Sequence, residues 1–216
     1  MLKYKFFTLW SFVNNFDKKV LRNILFTKRL RFSKKFITQV SQEITRKILS
    51  VREFADKKAF CLYLPINNEV DTRDIIDDLL QKKANIFVPA FSKKYDDYSF
   101  AKFTSWQDLE EGPKGILQPQ IIEPFDSSLI EVAILPGLAF SKSGVRLGYG
   151  KGVFDKLLSK SKALRIGLAY DFQIVDEIPQ EKHDLNMNLV VTEEKVYRMK
   201  KNDKICGQDF IYCRIV

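Results

Sequence analysis

The sequence predicts an α/β fold, a layered and largely parallel sheet flanked by helices, with two helices ahead of the first strand. Three observations point there. Residues 1–64 contain neither glycine nor proline, the punctuation of a helical start. From residue 59 short apolar runs alternate with amphipathic stretches, as in repeated strand–helix units. The runs at 59–64, 86–90, 130–135 and 164–169 are near-continuous rather than alternating, as expected of strands covered on both faces.

Taken in order, Asp17 can cap a first helix carrying Val20, Leu21, Ile24 and Leu25. Ser33 can cap a second, in which Phe36, Ile37, Val40, Ile44, Ile48 and Leu49 recur at helical spacing. After the strand at 59–64, Asp71 or Thr72 can cap a helix with Ile75, Ile76, Leu79 and Leu80 on one face. Strands are expected at 86–90 and 98–103, and the Gly/Pro-containing stretch 112–124 as a loop within one domain. Strands at 130–135, 164–169 and 187–192 follow, with a helix from near residue 152 carrying Phe154, Leu157 and Leu158.

The chain has 36 Lys/Arg against 27 Asp/Glu, a net charge of +9. Residues 1–35 hold ten of those cations and one acid, Asp17, so the whole excess is N-terminal and the body is neutral. A surface built to coat a nucleic acid would spread its charge. The chain also lacks the interleaved aromatics of an RNA-binding sheet, so no nucleic-acid partner is expected. Cys61, Cys206 and Cys213 are odd in number and widely spaced, which fits a reducing compartment, and Cys61 reads as a buried small hydrophobe. No run approaches a membrane span of ~20 apolar residues, and no membrane partner is expected. The apolar segment 6–13 has a signal-like outline without a cleavage site. A cytoplasmic location is expected, with an organellar transit segment as the alternative.

Five of the nine glycines (137, 144, 148, 150 and 152) cluster between a strand and a helix. In Gly144-Val145-Arg146-Leu147-Gly148-Tyr149-Gly150-Lys151-Gly152-Val153-Phe154-Asp155, glycines at alternate positions let backbone N–H groups converge. A helix N-terminus, Arg146 and Lys151 add positive charge, the makings of a phosphate cradle. The run is neither a Walker A loop nor G-x-G-x-x-G, because Val145 and Gly152 stand at the wrong places. Spacing alone leaves two readings open, a phosphate cradle and a tight strand-to-helix turn.

Pro136-Gly137-Leu138-Ala139-Phe140 followed by this loop resembles the signature of the 5-formyltetrahydrofolate cyclo-ligase (5,10-methenyltetrahydrofolate synthetase) family. Four more blocks agree in order. They are Lys18-x-x-x-Arg22, Asn68-Glu69-Val70-Asp71-Thr72, Gly115-Ile116-Leu117-Gln118-Pro119, and Arg165-Ile166-Gly167-Leu168-Ala169-Tyr170 running on to Gln173, Pro179, His183-Asp184 and Val191-Thr192-Glu193. The resemblance covers roughly 18–198. It implies a catalytic domain over those residues, an N-terminal extension over 1–17 and a C-terminal tail over 199–216.

The resemblance implies a monomeric enzyme with reduced folate and ATP as small-molecule substrates and Mg²⁺ as cofactor. The formyl oxygen would take the γ-phosphoryl group, N10 would attack the activated carbon, and ADP and phosphate would leave. ATP would be bound by Lys18 and Arg22 and by the run Arg146, Leu147, Gly148, Tyr149, Gly150, Lys151, Gly152, Val153 and Phe154. Lys151 and Arg146 would be catalytic, stabilising charge on the transferring group. The folate would meet Leu64, Glu69, Tyr149, Gly150, Lys151, Gly152 and Val153, with Trp106 either stacking on the pterin or in the core. Asp155 and Asp184 would bind the metal, and His183, the only histidine, would be structural. Read without the resemblance, Lys18 and Arg22 describe a solvated basic helix face, Glu69 a loop acid, and Asp155 a helix N-terminal dipole partner. The chain departs from the family pattern at Val153-Phe154, where a Tyr-Tyr pair is common, at Gln118, where Glu is frequent, and at Lys156, where Arg is common.

Overall fold

A computed structural model describes residues 17–123, 125–181 and 184–199. Helix α1 (Lys18–Leu30) is capped by Asp17, whose side chain accepts from the Lys19 N–H, and α2 (Lys34–Leu49) by Ser33, which accepts from Phe36. Strand β1 (Ala59–Cys61) leads to α3 (Arg73–Gln81), where Asp71 accepts from the Arg73 N–H although Thr72 is the capping residue by position. There follow β2 (Asn85–Ser92), β3 (Asp97–Phe103), β4 (Leu109–Glu111), β5 (Leu117–Pro119), β6 (Val132–Leu135), β7 (Ala139–Ser141) and β8 (Arg146–Leu147). Helix α4 (Val153–Leu157), β9 (Leu164–Leu168), β10 (Ile174–Val175), β11 (Leu189–Val191) and β12 (Val196–Arg198) complete the order.

The main sheet runs β12-β11-β9-β6-β1-β2-β3, with five parallel strands inside two antiparallel edges. Counted among themselves the parallel strands take the doubly wound order 2-1-3-4-5. Strand residues alternate between two apolar layers. Phe60, Leu62, Ile134 and Ile166 face α2 and α3 through Ile44, Ile48, Ile75 and Ile76. Cys61, Ala133 and Leu135 face Phe140 and Leu158 on the other side. Cys61 is fully buried, and burial pushes its thiol pKa far up, so it is inert packing.

Two small sheets are added. Strands β10-β7-β8 form a three-stranded patch, and α1 packs Leu21 and Leu25 on it against Val145, Leu147 and Val175. Strands β4 and β5 pair as an antiparallel hairpin, so the stretch 112–124 is not wholly a loop. Gln118 explains the hairpin's seat. Its amide accepts from the Phe91 N–H at 2.9 Å and donates to the Phe91 carbonyl at 3.4 Å, tying β5 to the end of β2. An ionised glutamate there could accept but not donate.

Candidate functional site

In a doubly wound sheet, the order in which successive parallel strands are laid down reverses between the pair that starts the fold and those that continue it, opening a crevice at the strands' carboxyl ends. Here that point lies between β1 and β6. A cleft of about 710 Å³ occupies it. Lys18 and Arg22 of α1, Leu64 and Glu69 after β1, every residue of the run 146–155, and Asp184 all line it. All residues expected to bind ATP, folate and metal are therefore brought to one place. Of the two readings of Trp106, pterin stacking or core, the structure shows the core one. Trp106 packs edge-on against Phe103 at 4.9 Å, donates to Asp77, and is not among the cleft-lining residues. His183 lies outside the described residues.

The glycine loop owes its shape to three glycines of positive φ, Gly144 (φ 92°), Gly150 (φ 97°) and Gly152 (φ 62°). A Cβ on Gly150 would meet the Arg22 guanidinium at 3.5 Å, so the loop backbone lies flat against that cation. Arg22 Nε donates to the Gly148 carbonyl at 2.9 Å and locks α1 to the loop. The helix behind the loop, α4, has only five residues, so side chains rather than a helix dipole supply the positive field. Arg146 is the most buried of these cations, with 6% of its side chain accessible. Its Nη2 meets Asp155 Oδ2 at 2.7 Å, Nη1 donates to the Pro136 carbonyl at 3.3 Å, and its guanidinium lies 5.9 Å over the Phe154 ring. Its Nε is buried without a partner. Phe154 thus serves as a platform that needs no hydroxyl.

Asp155 Oδ1 also accepts from the Leu185 N–H at 3.2 Å. Asp184 Oδ2 accepts from Lys18 Nζ at 2.9 Å, and Glu181 from the same ammonium at 2.8 Å. Partial burial works against the charge of Lys18, but these hydrogen bonds outweigh it and hold its pKa above the ordinary lysine value.

At the other end of the cleft, Glu69 is almost wholly buried. Its Oε2 accepts from the Ile66 N–H at 3.1 Å, while Oε1 has no hydrogen bond and lies 3.8 Å from Arg29 Nη2. Burial lifts its pKa above the usual carboxylate value, opposed by Arg29, the Ile66 amide and Tyr149. Burial and the Glu69 charge push the Tyr149 hydroxyl up to about 12.

Arg29 is the residue the sequence reading missed. Only 1% exposed, it donates to the Asn67 carbonyl at 3.0 Å, to the Gly137 carbonyl at 3.2 Å and to the Tyr149 hydroxyl. The signal was present, since Lys18, Arg22, Leu25 and Arg29 share one stripe of α1 at helical spacing. Lys114, Ile116 and Leu117 of the β4–β5 hairpin and Glu181 also line the cleft without having been singled out.

No described helix is long and apolar enough to cross a membrane, and no cluster of three or more His, Cys, Asp or Glu with metal-site geometry occurs among the described residues.

Comparisons with known proteins agree with this arrangement. The model of the 5-formyltetrahydrofolate cyclo-ligase family matches residues 14–193. A 5-formyltetrahydrofolate cyclo-ligase of Mycoplasma genitalium is 30% identical over 178 residues, covering 81% of this chain and 97% of its own. The mouse 5-formyltetrahydrofolate cyclo-ligase is 28% identical over 164 residues, covering 70% of this chain and 81% of its own. The solution structure of 5,10-methenyltetrahydrofolate synthetase from Aquifex aeolicus superposes with a TM-score of 0.75 at 30% identity, over 90% of this chain and 96% of that one. With the fold, the loop and the match all spanning the same residues, the chain belongs to the 5-formyltetrahydrofolate cyclo-ligase family.

Proposed function

We propose that the chain converts 5-formyltetrahydrofolate to 5,10-methenyltetrahydrofolate with hydrolysis of ATP to ADP and phosphate, in the cleft between β1 and β6. One observation carries this reading. Two buried polar atoms in that cleft, Arg146 Nε and Glu69 Oε1, have no hydrogen-bond partner in the protein, one a donor among cations and the other an acceptor 3.8 Å from the Arg29 guanidinium. A donor beside the glycine loop suits a phosphate oxygen, and a lone carboxylate oxygen suits the N–H groups of a pterin.

In this reading Lys18, Arg22 and the backbone of residues 146–154 hold the nucleotide. Leu64, Glu69 and residues 149–153 hold the folate. The formyl oxygen forms a bond to the γ-phosphorus as the bridge to ADP breaks. N10 then attacks the formyl carbon, losing its proton, and phosphate departs to leave the methenyl bridge. Lys151 and Arg146 neutralise the charge that develops on the phosphoryl oxygens, and little more than alignment is asked of the protein. Asp155 and Asp184 would hold Mg²⁺, which supplies charge neutralisation of the phosphates. Both are hard oxygen donors on one cleft, and a magnesium ion needs only one or two carboxylates besides phosphate and water. In the structure Asp155 is paired with Arg146 and Asp184 with Lys18.

We take residues 18–198 as the catalytic domain, since the regular elements run over that range and the family match covers 14–193. A monomer suffices, because one chain supplies every site residue. A reducing cytoplasmic compartment suits the unpaired core thiol of Cys61. The direct test mixes the protein with 5-formyltetrahydrofolate and Mg·ATP and follows the near-ultraviolet absorbance of the methenyl product. ATP-dependent product is expected, and its loss in Lys151→Ala and Asp155→Ala variants. Near wild-type turnover in both variants removes the loop from the chemistry.

A further inference from the structure

The cations of the cleft fall into two groups. Lys18 and Arg146 are ion-paired with Asp184, Glu181 and Asp155, and Arg22 is engaged by the Gly148 carbonyl. Lys114 and Lys151 line the same cleft from separate elements, and neither makes an ion pair among the described residues. Lys114 sits at the tip of the β4–β5 hairpin with φ +63°, a left-handed conformation that side chains other than Asn, Asp and Gly rarely take. The turn is held in place. The Gly112 N–H donates to the Ile116 carbonyl at 2.9 Å, and the Gly115 N–H to the Gly112 carbonyl at 3.2 Å. Gln118 anchors the whole hairpin on Phe91.

A lysine in a strained backbone position, on a fixed turn that lines the cleft of the glycine loop, calls for a ligand rather than a packing explanation. Contact with the Lys151 ammonium, and repulsion from it, lower the Lys114 pKa. Two like charges thus line one cleft, and neither forms an ion pair with a carboxylate of the described residues. A multiply charged anion between them would turn that repulsion into paired charge-assisted hydrogen bonds.

We propose that Lys114 is a second phosphate-clamping residue, which with Lys151 holds the terminal phosphoryl group of the nucleotide as it passes to the folate. This rests on the nucleotide reading of the cleft given above. The hairpin then has two roles, since Ile116 and Leu117 add apolar wall beside the cation that Lys114 brings.

The test uses Lys114→Gly, which removes the ammonium and suits the left-handed turn, so its melting temperature should equal or exceed that of the wild type. Calorimetric titration with inorganic tripolyphosphate should show binding weakened roughly tenfold or more, the effect of one charge-assisted hydrogen bond. Equal affinity in the two proteins overturns the proposal. In turnover assays kcat/KM for ATP should fall by a similar factor with mono- and polyglutamyl 5-formyltetrahydrofolate alike. A loss confined to the polyglutamyl substrate, with tripolyphosphate affinity unchanged, assigns Lys114 to the folate's carboxylate tail and also overturns it. Tripolyphosphate binding that depends on Lys114 in a wild-type protein that forms no methenyl product supports the anion site and removes the folate chemistry instead.

Discussion

Replacing Arg29 by methionine keeps most of the side-chain volume and removes the charge that binds three loops of the cleft together. The Gly137 carbonyl keeps a second donor, Gln173 Nε2 at 2.8 Å, and is not orphaned. The Asn67 carbonyl loses Arg29, and the Glu69 carboxylate loses the guanidinium 3.8 Å away. Removing one partner of a buried ion pair costs about 3–5 kcal/mol when the other stays charged. Protonation of Glu69, already favoured by burial, limits that cost and makes it smaller at acidic pH. For a chain of this length the loss corresponds to a fall in melting temperature of roughly 6–20 °C near neutral pH. The assay is thermal or urea unfolding of wild type, Arg29→Met, Glu69→Gln and the double variant. The double variant should recover about 1–3 kcal/mol of the single Arg29 loss, because no charge is then left unpaired. An Arg29→Met variant within about 1 kcal/mol of wild type, or strict additivity in the cycle, refutes the assignment of Arg29 as the partner of Glu69.

Other perturbations read out neighbouring contacts. Glu69 has a raised folded-state pKa, so between the unfolded value and that raised value the folded chain binds more protons, and this group's contribution to stability falls as pH rises. The melting-temperature difference between Glu69→Gln and wild type should accordingly move in the variant's favour from pH 4.5 upward, and a pH-independent difference rejects the shift. Gly150→Ala places a side chain at φ 97° beside Arg22, and the Michaelis constant for ATP should rise more than for Gly152→Ala, whose added methyl meets nothing within 4 Å. Asp155→Asn weakens the hold on Arg146 Nη2, and turnover should drop about 10–100-fold at fixed Mg²⁺, measured alongside a magnesium titration.

Much of the architecture could be read before any coordinate. The β1, β2, β6 and β9 runs are apolar on both faces because helices or loops cover both, and that double burial leaves an unmistakable composition. Strands β7, β8 and β10 were invisible for the opposite reason. Each has two or three residues, too short to show a period, and they are defined by one another rather than by their own sequence. The β4–β5 hairpin hid behind its glycines and prolines, which mark its turn rather than a loop. In the site, the residues of the glycine loop were legible because their spacing is itself the signal. Arg29 lay on the same stripe as Lys18, Arg22 and Leu25, but its burial was not legible, since on a basic helix it looks like its solvated neighbours Lys28 and Arg31. Trp106 stayed open between ligand and core for a related reason, since a large aromatic residue suits both until its neighbours, Phe103 and Asp77, are seen.

The clasp between α1 and the rest of the cleft has a temporal meaning. Lys18 meets partners 163 and 166 positions later, and Arg22 one 126 positions later. On the ribosome the first helix is made early and must wait for Glu181 and Asp184, near the end of the described chain, before its ammonium finds carboxylates. A nascent chain stalled before residue 181 can have its parallel strands β1, β2, β6 and β9 in place yet hold no closed nucleotide site. Competence to spend ATP would therefore arrive in one late step, after the sheet that supports it.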